Sequence, residues 1–273
     1  MEEITAEYAT TDLLTPVELR IVPSLRFAAR TDLGRQRENN EDKFEFFLSE
    51  DDRLRATRGS VFVVCDGMGG HAAGQIASEL SAKTFIDSYL RHTSDDPAVA
   101  GIAAIHVAQR YVLDIANTIP SRKGMGTTLS AVACVQDKAY VFQIGDSRVY
   151  RLRDGVLEQV TTDHNWVEQV VAAGTMSRED AEQHPYRNMI TRCIGHDEDF
   201  RPEVFTLDLA VGDMFLVCSD GVSKHVPDSQ MAEIIRSVGP SQAVWDLINA
   251  ALLDGGSDNA TAILVHVDGL AQV

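Results

Sequence analysis

The chain has 273 residues, 44% of them hydrophobic, and a formal net charge of −17 with histidine neutral. That length gives one large or two ordinary domains, and so apolar a chain is not disordered. The negative balance argues against nucleic acid as a partner, because binding a phosphate backbone needs clustered Lys and Arg. No apolar stretch approaches the ~20 residues that span a bilayer, which argues against a membrane partner.

The start, MEEITAEYA, is acidic and carries no apolar secretory segment. Residues 1–24 lack sustained periodicity and read as an N-terminal extension. From Leu25 to residue 268 the pattern is dense, and residues 269–273 form a short tail. Short β-branched and aromatic runs at residues 60–65 (SVFVVC), 129–135 (LSAVACV), 139–144 (AYVFQI), 214–218 (MFLVC) and 261–267 (TAILVHV) predict strands. Two helices are predicted between the first two strands. The first covers about residues 74–92, with a broad apolar arc of Ile76, Leu80, Ile86 and Leu90. The second places Ile102, Ile105, Val112 and Ala116 on one face. A further helix starts at Ser177, where Ser177-Arg178-Glu179-Asp180 approximates a capping box with Asp in place of Glu. Strands from both ends of the chain with helices between them indicate one α+β domain of stacked layers. Cys65, Cys134, Cys193 and Cys218 form no CxxC pair. They read as small core residues of a reducing, cytoplasmic protein.

The informative signal is where the carboxylates fall. Asp66, Asp146 and Asp220 each end an apolar run, beside glycine or a small residue. Asp258, in Gly255-Gly256-Ser257-Asp258-Asn259, precedes the last strand, and Asn40-Glu41-Asp42 precedes residues 44–47. A lone Asp-Gly is a turn, and Asp154-Gly155 and Asp268-Gly269 are read that way. Five acidic sites at strand edges are a different matter. Converging carboxylates raise one another's pKa, and a divalent cation removes the conflict. Hard oxygen ligands with few His or Cys point to Mg²⁺ or Mn²⁺.

These residues sit in recognisable motifs. In order they are Thr31-Asp32-Leu33-Gly34-Arg35-Gln36-Arg37-Glu38-Asn39-Asn40-Glu41-Asp42; Asp66-Gly67-Met68-Gly69-Gly70-His71; Gly124-Met125-Gly126-Thr127-Thr128; Gly145-Asp146-Ser147-Arg148; Asp163-His164-Asn165; His184-Pro185-Tyr186-Arg187-Asn188; Cys218-Ser219-Asp220-Gly221; and Gly256-Ser257-Asp258-Asn259. With them the chain resembles the bacterial branch of the PP2C/PPM family of metal-dependent Ser/Thr protein phosphatases, over about residues 30–267.

The resemblance implies a four-layer α-β-β-α sandwich with a dinuclear Mn²⁺ or Mg²⁺ centre at one end. It implies hydrolysis of phosphoserine and phosphothreonine by a metal-activated bridging water, with no covalent intermediate. Carried over by position, Asp66 is the bridging ligand and Gly67 a carbonyl ligand. Asp220 and Asp258 complete one metal, Glu41 holds the second, and Asp42 orients its waters. Arg37 resembles the phosphate-binding arginine; a surface salt bridge to Glu38 or Glu41 is its bland alternative. Asp146 is a candidate for a third, weaker metal, against a turn-capping role. Many relatives have an acidic residue where this chain reads Arg122-Lys123-Gly124, and a lysine there weakens cation binding. His71 is the candidate general acid, three residues past the position where eukaryotic relatives have their histidine. Residues 163–188 match the flap beside the site, with Trp166 as a candidate substrate contact or a core aromatic, and His184 and Arg187 at the entrance or in a turn with ordinary packing. The remaining histidines, His225 among them, read as structural or solvent-facing. The implied partners are phosphoproteins made by a Ser/Thr kinase, met by a monomer.

Other hydrolase patterns fail. No HCx₅R, GxSxG or Walker A motif occurs, and Gly145-Asp146-Ser147 has no Asp-x-x-His partner. The competing class is a regulatory module that binds metal and phosphoprotein without turnover, supported by Lys123 and the N-terminal extension.

Overall fold

Beyond Ser60, every side chain of the run Ser60–Cys65 is apolar, so both faces of that strand must be covered. The computed structural model, which describes residues 17–70, 72–196 and 200–273, covers both. Val61, Val63 and Cys65 pack against two long helices, while Phe62 and Val64 pack against a second sheet.

Among the described residues the chain begins with β1 (Ile21–Asp32), β2 (Lys43–Phe47), α1 (Asp52–Thr57), β3 (Ser60–Cys65), β4 (Gly67–Met68), α2 (Ala72–Arg91) and α3 (Pro97–Thr118). It continues with β5 (Gly126–Thr127), β6 (Leu129–Val135), β7 (Lys138–Ile144), β8 (Arg148–Arg153), β9 (Val156–Gln159), α4 (Trp166–Ala172) and α5 (Arg178–Glu182). The last part holds β10 (Glu203–Asp208), β11 (Met214–Cys218), α6 (Asp220–Ser223), α7 (Asp228–Ser237), α8 (Pro240–Leu253) and β12 (Ala260–Gln272).

One antiparallel sheet has the order β10-β7-β6-β3-β2 and the other β1-β12-β11-β8-β9. Helices α2 and α3 cover the first, α7 and α8 cover the second, and a third apolar layer lies between the sheets. This is the expected α-β-β-α sandwich. Ser177 caps α5 as read from the sequence, accepting from the Asp180 amide at 3.1 Å.

Two features go beyond the sequence reading. The sheet runs past the boundaries set at residues 24 and 268, because Ile21–Ser24 pair with Gly269–Gln272 across a bulge at Ser24/Leu25. Each segment satisfies the other's backbone, a long-range pairing with no local hydrophobic pattern. Residues 1–16 of the extension lie outside the described residues. Helix α3 is longer and more apolar than any stretch anticipated, with 22 residues and a hydropathy of 1.2 over its best 18-residue window. Those values suit a bilayer span by length and composition. Here Ala100, Ala104, Ile105, Ala108 and Val112 bury that face in the core.

The C-terminal end of α2 is held by Arg58, which is 2% exposed. Its guanidinium donates to the carbonyls of Tyr89, His92 and Ser94 at 2.6 Å each, and to that of Thr57 at 2.8 Å. Carbonyls at a helix end need such partners, and a cation there also suits the helix dipole. Replacing Arg58 by Met leaves them unpaired in an apolar setting. The expected loss is about 3 kcal/mol, read as a lower urea midpoint with an unchanged m-value.

Candidate metal and phosphate site

Strand register does the gathering. Lys43 pairs with Cys65, which sets Asp42, just before β2, beside Asp66, just after β3. Cys218 pairs with Ala262, so the chain leaves β11 at Ser219-Asp220 next to the start of β12, where Asp258 and Asn259 lie. Asp146 follows β7, whose Ile144 pairs with Leu129. The five aspartates thus collect at one end of the sandwich, where Asp66 feels the charges of Asp42, Asp220, Asp146 and Asp258.

Backbone contacts then fix the edge. The Asp66 amide donates to Thr128 Oγ1 at 2.9 Å, and the Asp66 carbonyl accepts from Thr127 Oγ1 and the Thr128 amide at 2.9 Å each. Asn259 stitches the loop before β2: Oδ1 accepts from the Glu41 amide at 2.8 Å, and Nδ2 donates to the Leu33 and Asn39 carbonyls. Two glycines permit the close approach of Glu41. A Cβ on Gly67 would stand 2.2 Å from the Gly74 carbonyl oxygen, and one on Gly74 would stand 1.9 Å from Glu41 Oε2. Thr128, Ser219 and Asn259 are thus positioning residues that the sequence reading quoted within motifs without giving them a task.

Burial sets the electrostatics. Asp42, Asp146 and Asp220 are each less than a tenth exposed, and one carboxylate oxygen of each is buried without a hydrogen-bond partner. Burial first, then the neighbouring carboxylates, pushes Asp66 well above the usual carboxylate range. Burial likewise lifts Asp42 to about 7 against a 2.6 Å bond from Ser219 Oγ. Asp146 is pushed up to about 7 by burial and then by Asp220, with Lys224 opposing.

Such orphaned oxygens, with no His or Cys among them, fit a hard divalent cation. Among the described residues, no three His, Cys, Asp or Glu side chains stand as a finished ion-binding group. Two of the carboxylates are held by cations of the chain itself. Lys224 bonds Asp220, and Arg37 Nη2 bonds Asp258 Oδ2 at 2.8 Å. Arg37 is thus bonded to Asp258, with the Glu41 charge also acting on it. The lysine beside Asp146 and Asp220 is Lys224; Lys123 is exposed on a turn. His71 lies outside the described residues.

A cavity of about 1280 Å³ opens from Asp146 and Asp220 and runs between the flap and α7 and α8. Asn165 and Arg187 line it, while Trp166 and His184 do not. Trp166 instead packs on His184 and Tyr186, with ring centroids 4.8 and 5.5 Å away. The flap is rooted by a bidentate pair, Arg148 to Asp163, at 2.8–3.1 Å.

The sequence profile described as Protein phosphatase 2C matches residues 35–252. The serine/threonine phosphatase stp of Listeria monocytogenes serovar 1/2a is 34% identical over 244 residues, covering 88% of this chain and 94% of that protein. The serine/threonine protein phosphatase PstP of Mycobacterium tuberculosis is 35% identical over 254 residues, covering 91% of this chain and 46% of PstP. Its crystal structure superposes with a TM-score of 0.80 at 33% identity, over 90% of this chain and 99% of that one. A second structure, of the PstP catalytic domain in complex with two manganese ions, gives 0.78 at 33% identity, over 91% and 100%.

The raised carboxyls carry a sign. A carboxyl whose pKa rises on folding favours the folded state while protonated, and that contribution is lost as pH climbs through the folded value. With Asp42 and Asp146 at about 7, the protein in chelator is expected to lose stability from pH 5 to pH 8. The thermal midpoint should fall by roughly 5 °C, and Mn²⁺ at pH 8 should restore it. A midpoint in chelator that rises over this window would contradict the assignment.

Proposed function

The chain belongs to the protein phosphatase 2C family and is a metal-dependent protein serine/threonine phosphatase, and we propose that Arg37, Glu41, Asp42, Asp66, Gly67, Asp220 and Asp258 carry its reaction. Its cofactors are two divalent ions, Mn²⁺ or Mg²⁺, and its substrates are phosphoproteins. One observation carries the residue assignment: buried carboxylate oxygens without partners converge beside a guanidinium at one sandwich edge.

Asp66, which feels the charges of Asp42, Asp220, Asp146 and Asp258, would be the carboxylate shared by the two ions. Asp220 and Asp258 complete one ion, and Glu41 with the Gly67 carbonyl holds the other. Asp42, fixed through its other oxygen by Ser219, turns Oδ1 inward to orient water. The ions supply Lewis acidity and a water acidic enough to ionise near neutrality. Arg37 grips two phosphate oxygens with its planar fork. Its bond to Asp258, with the charges of Asp66 and Glu41, keeps it charged and aimed at the edge.

Direct hydrolysis without a covalent intermediate fits the remaining nucleophiles. All four thiols are buried, and burial pushes Cys134, Cys193 and Cys218 to about 12 and Cys65 well above its ordinary value. None is a thiolate near neutrality. Lys224, bonded to Asp220, places a positive charge near Asp146 and Asp66, so the proposal rests on two ions and gives Asp146 no ligand role. Residues 21–272 act as one catalytic domain in this reading. On the same reading the protein is a cytoplasmic monomer that reverses the work of a Ser/Thr kinase; the four free cysteines support only the reducing compartment.

Hydrolysis of a phosphothreonine peptide by chelator-stripped protein, with Mn²⁺ titrated back, is the direct test. Activity is expected to appear with Mn²⁺ and vanish in EDTA. Asp66→Asn and Asp220→Asn should each lower kcat by at least ~100-fold, and Arg37→Ala should mainly raise KM, by about tenfold or more. Wild-type turnover in Asp220→Asn would sink the assignment.

A further inference from the structure

A histidine that the sequence gives no reason to single out joins the two sides of this ion site. His225 lies just beyond α6, the helix that begins at Asp220. Its Nδ1 stands 2.9 Å from Asp254 Oδ2, and its Nε2 stands 2.8 Å from Ser257 Oγ and 3.3 Å from the Ser257 backbone nitrogen. A backbone N–H only donates, so Nε2 is an acceptor. The ring proton therefore sits on Nδ1 and is donated to Asp254. The partners fix the tautomer.

The order Asp-His-Ser has the distances of a hydrolase triad, but it lacks the donors such a site needs. The Ser257 amide is directed at His225 itself, the Gly256 amide at the Ala251 carbonyl, and the Asn259 amide at Asp258 Oδ1. These three amides are committed to the loop and its brace and are not aimed outward at an oxyanion. The geometry suits holding. Gly255 and Gly256 have φ of 122° and 52°, a backbone with wide intrinsic freedom that must be fixed to be useful. That loop delivers Asp258, whose carboxylate carries Arg37. His225, 12% exposed at its side chain, braces the loop from the α6 side, and all three residues line the cavity that opens at Asp220.

We propose that His225, oriented by Asp254, is a positioning residue. It clasps the 255–258 loop to the α6 segment, and so sets the spacing of the Asp220 and Asp258 carboxylates and the direction of Arg37. The inference rests on the reading that these carboxylates hold a divalent ion.

The test is Mn²⁺ binding by titration calorimetry on the full chain, alongside kcat and KM for a phosphothreonine peptide. His225→Ala should weaken Mn²⁺ binding about tenfold, the scale at which residues behind a ligand act. Saturating Mn²⁺ should restore most of kcat while KM stays raised. His225→Gln, whose Oε1 can still accept from Ser257, should recover most of the affinity. Ser257→Ala, on an exposed loop, removes the hydroxyl contact and keeps the amide one, so it should weaken Mn²⁺ binding less than His225→Ala; the double variant should be no weaker than His225→Ala, which already breaks both contacts. Unchanged Mn²⁺ affinity in the folded variants, or losses that multiply in the double variant, would overturn the clasp. If the wild-type chain binds no Mn²⁺, the ion reading itself fails, an outcome distinct from loss of the clasp alone. If His225→Ala does not fold, Ser257→Ala decides the matter.

Discussion

Like charges forced together at one edge of a sandwich are the constraint around which this molecule is built. Two carboxylates about 4 Å apart at an effective dielectric near 20 repel by ~4 kcal/mol, and here burial adds its own penalty for every charge kept. The chain answers with several small devices. A serine hydroxyl bonds Asp42, an asparagine pins the Glu41 loop, and a lysine and an arginine each hold one carboxylate. None of these removes the crowding, as the raised Asp42, Asp66 and Asp146 show. An edge this unfavourable when empty of counter-charge is one that a pair of doubly charged ions stabilises.

The flap shows the opposite strategy, a charge pair buried with full geometry. Asp163, 6% exposed, takes the forked guanidinium of Arg148, which also bonds the Tyr150 hydroxyl. Bidentate pairs of this kind combine strength with direction. Nearby, the His164 amide bonds the Gly145 carbonyl, and the Trp166 amide bonds the Met189 carbonyl. The two ends of the flap are therefore tied to each other and to the strand end that carries Asp146. A segment with so narrow a neck and its own aromatic cluster of Trp166, His184 and Tyr186 moves as a body if it moves.

The fold was legible in the sequence where strands are buried on both faces. The runs at 60–65, 129–135 and 214–218 have the observed bounds, since continuous β-branched and aromatic runs have one use. β8 was not legible: its sequence RVYRLR alternates charge and bulk because its arginines pair with Asp163, Glu158 and Asp213. Nor was β1, an edge strand defined by a partner at the far end of the chain. The acidic cluster was legible because turn chemistry forces small residues to strand ends, and the motifs put the carboxylates there. Lys224 and His225 were not. Lys224 pairs with Asp220 through the i,i+4 spacing of the short helix α6, which the sequence reading did not place, and a histidine some thirty residues before a serine has no local signature at all.

The long pairing of β1 with β12 has a further consequence. Asp32 and Ala260 meet near the acidic edge, whereas Ile21 and Gln272 meet at the other end of the same ladder. At ~3.3 Å per residue the two ends of that ladder are roughly 35 Å apart. The described backbone is therefore almost a closed ring, with its opening remote from the chemistry. A circular permutant that joins the ends through a short linker and reopens the chain at the exposed Asp154-Gly155 turn would keep every site residue in place.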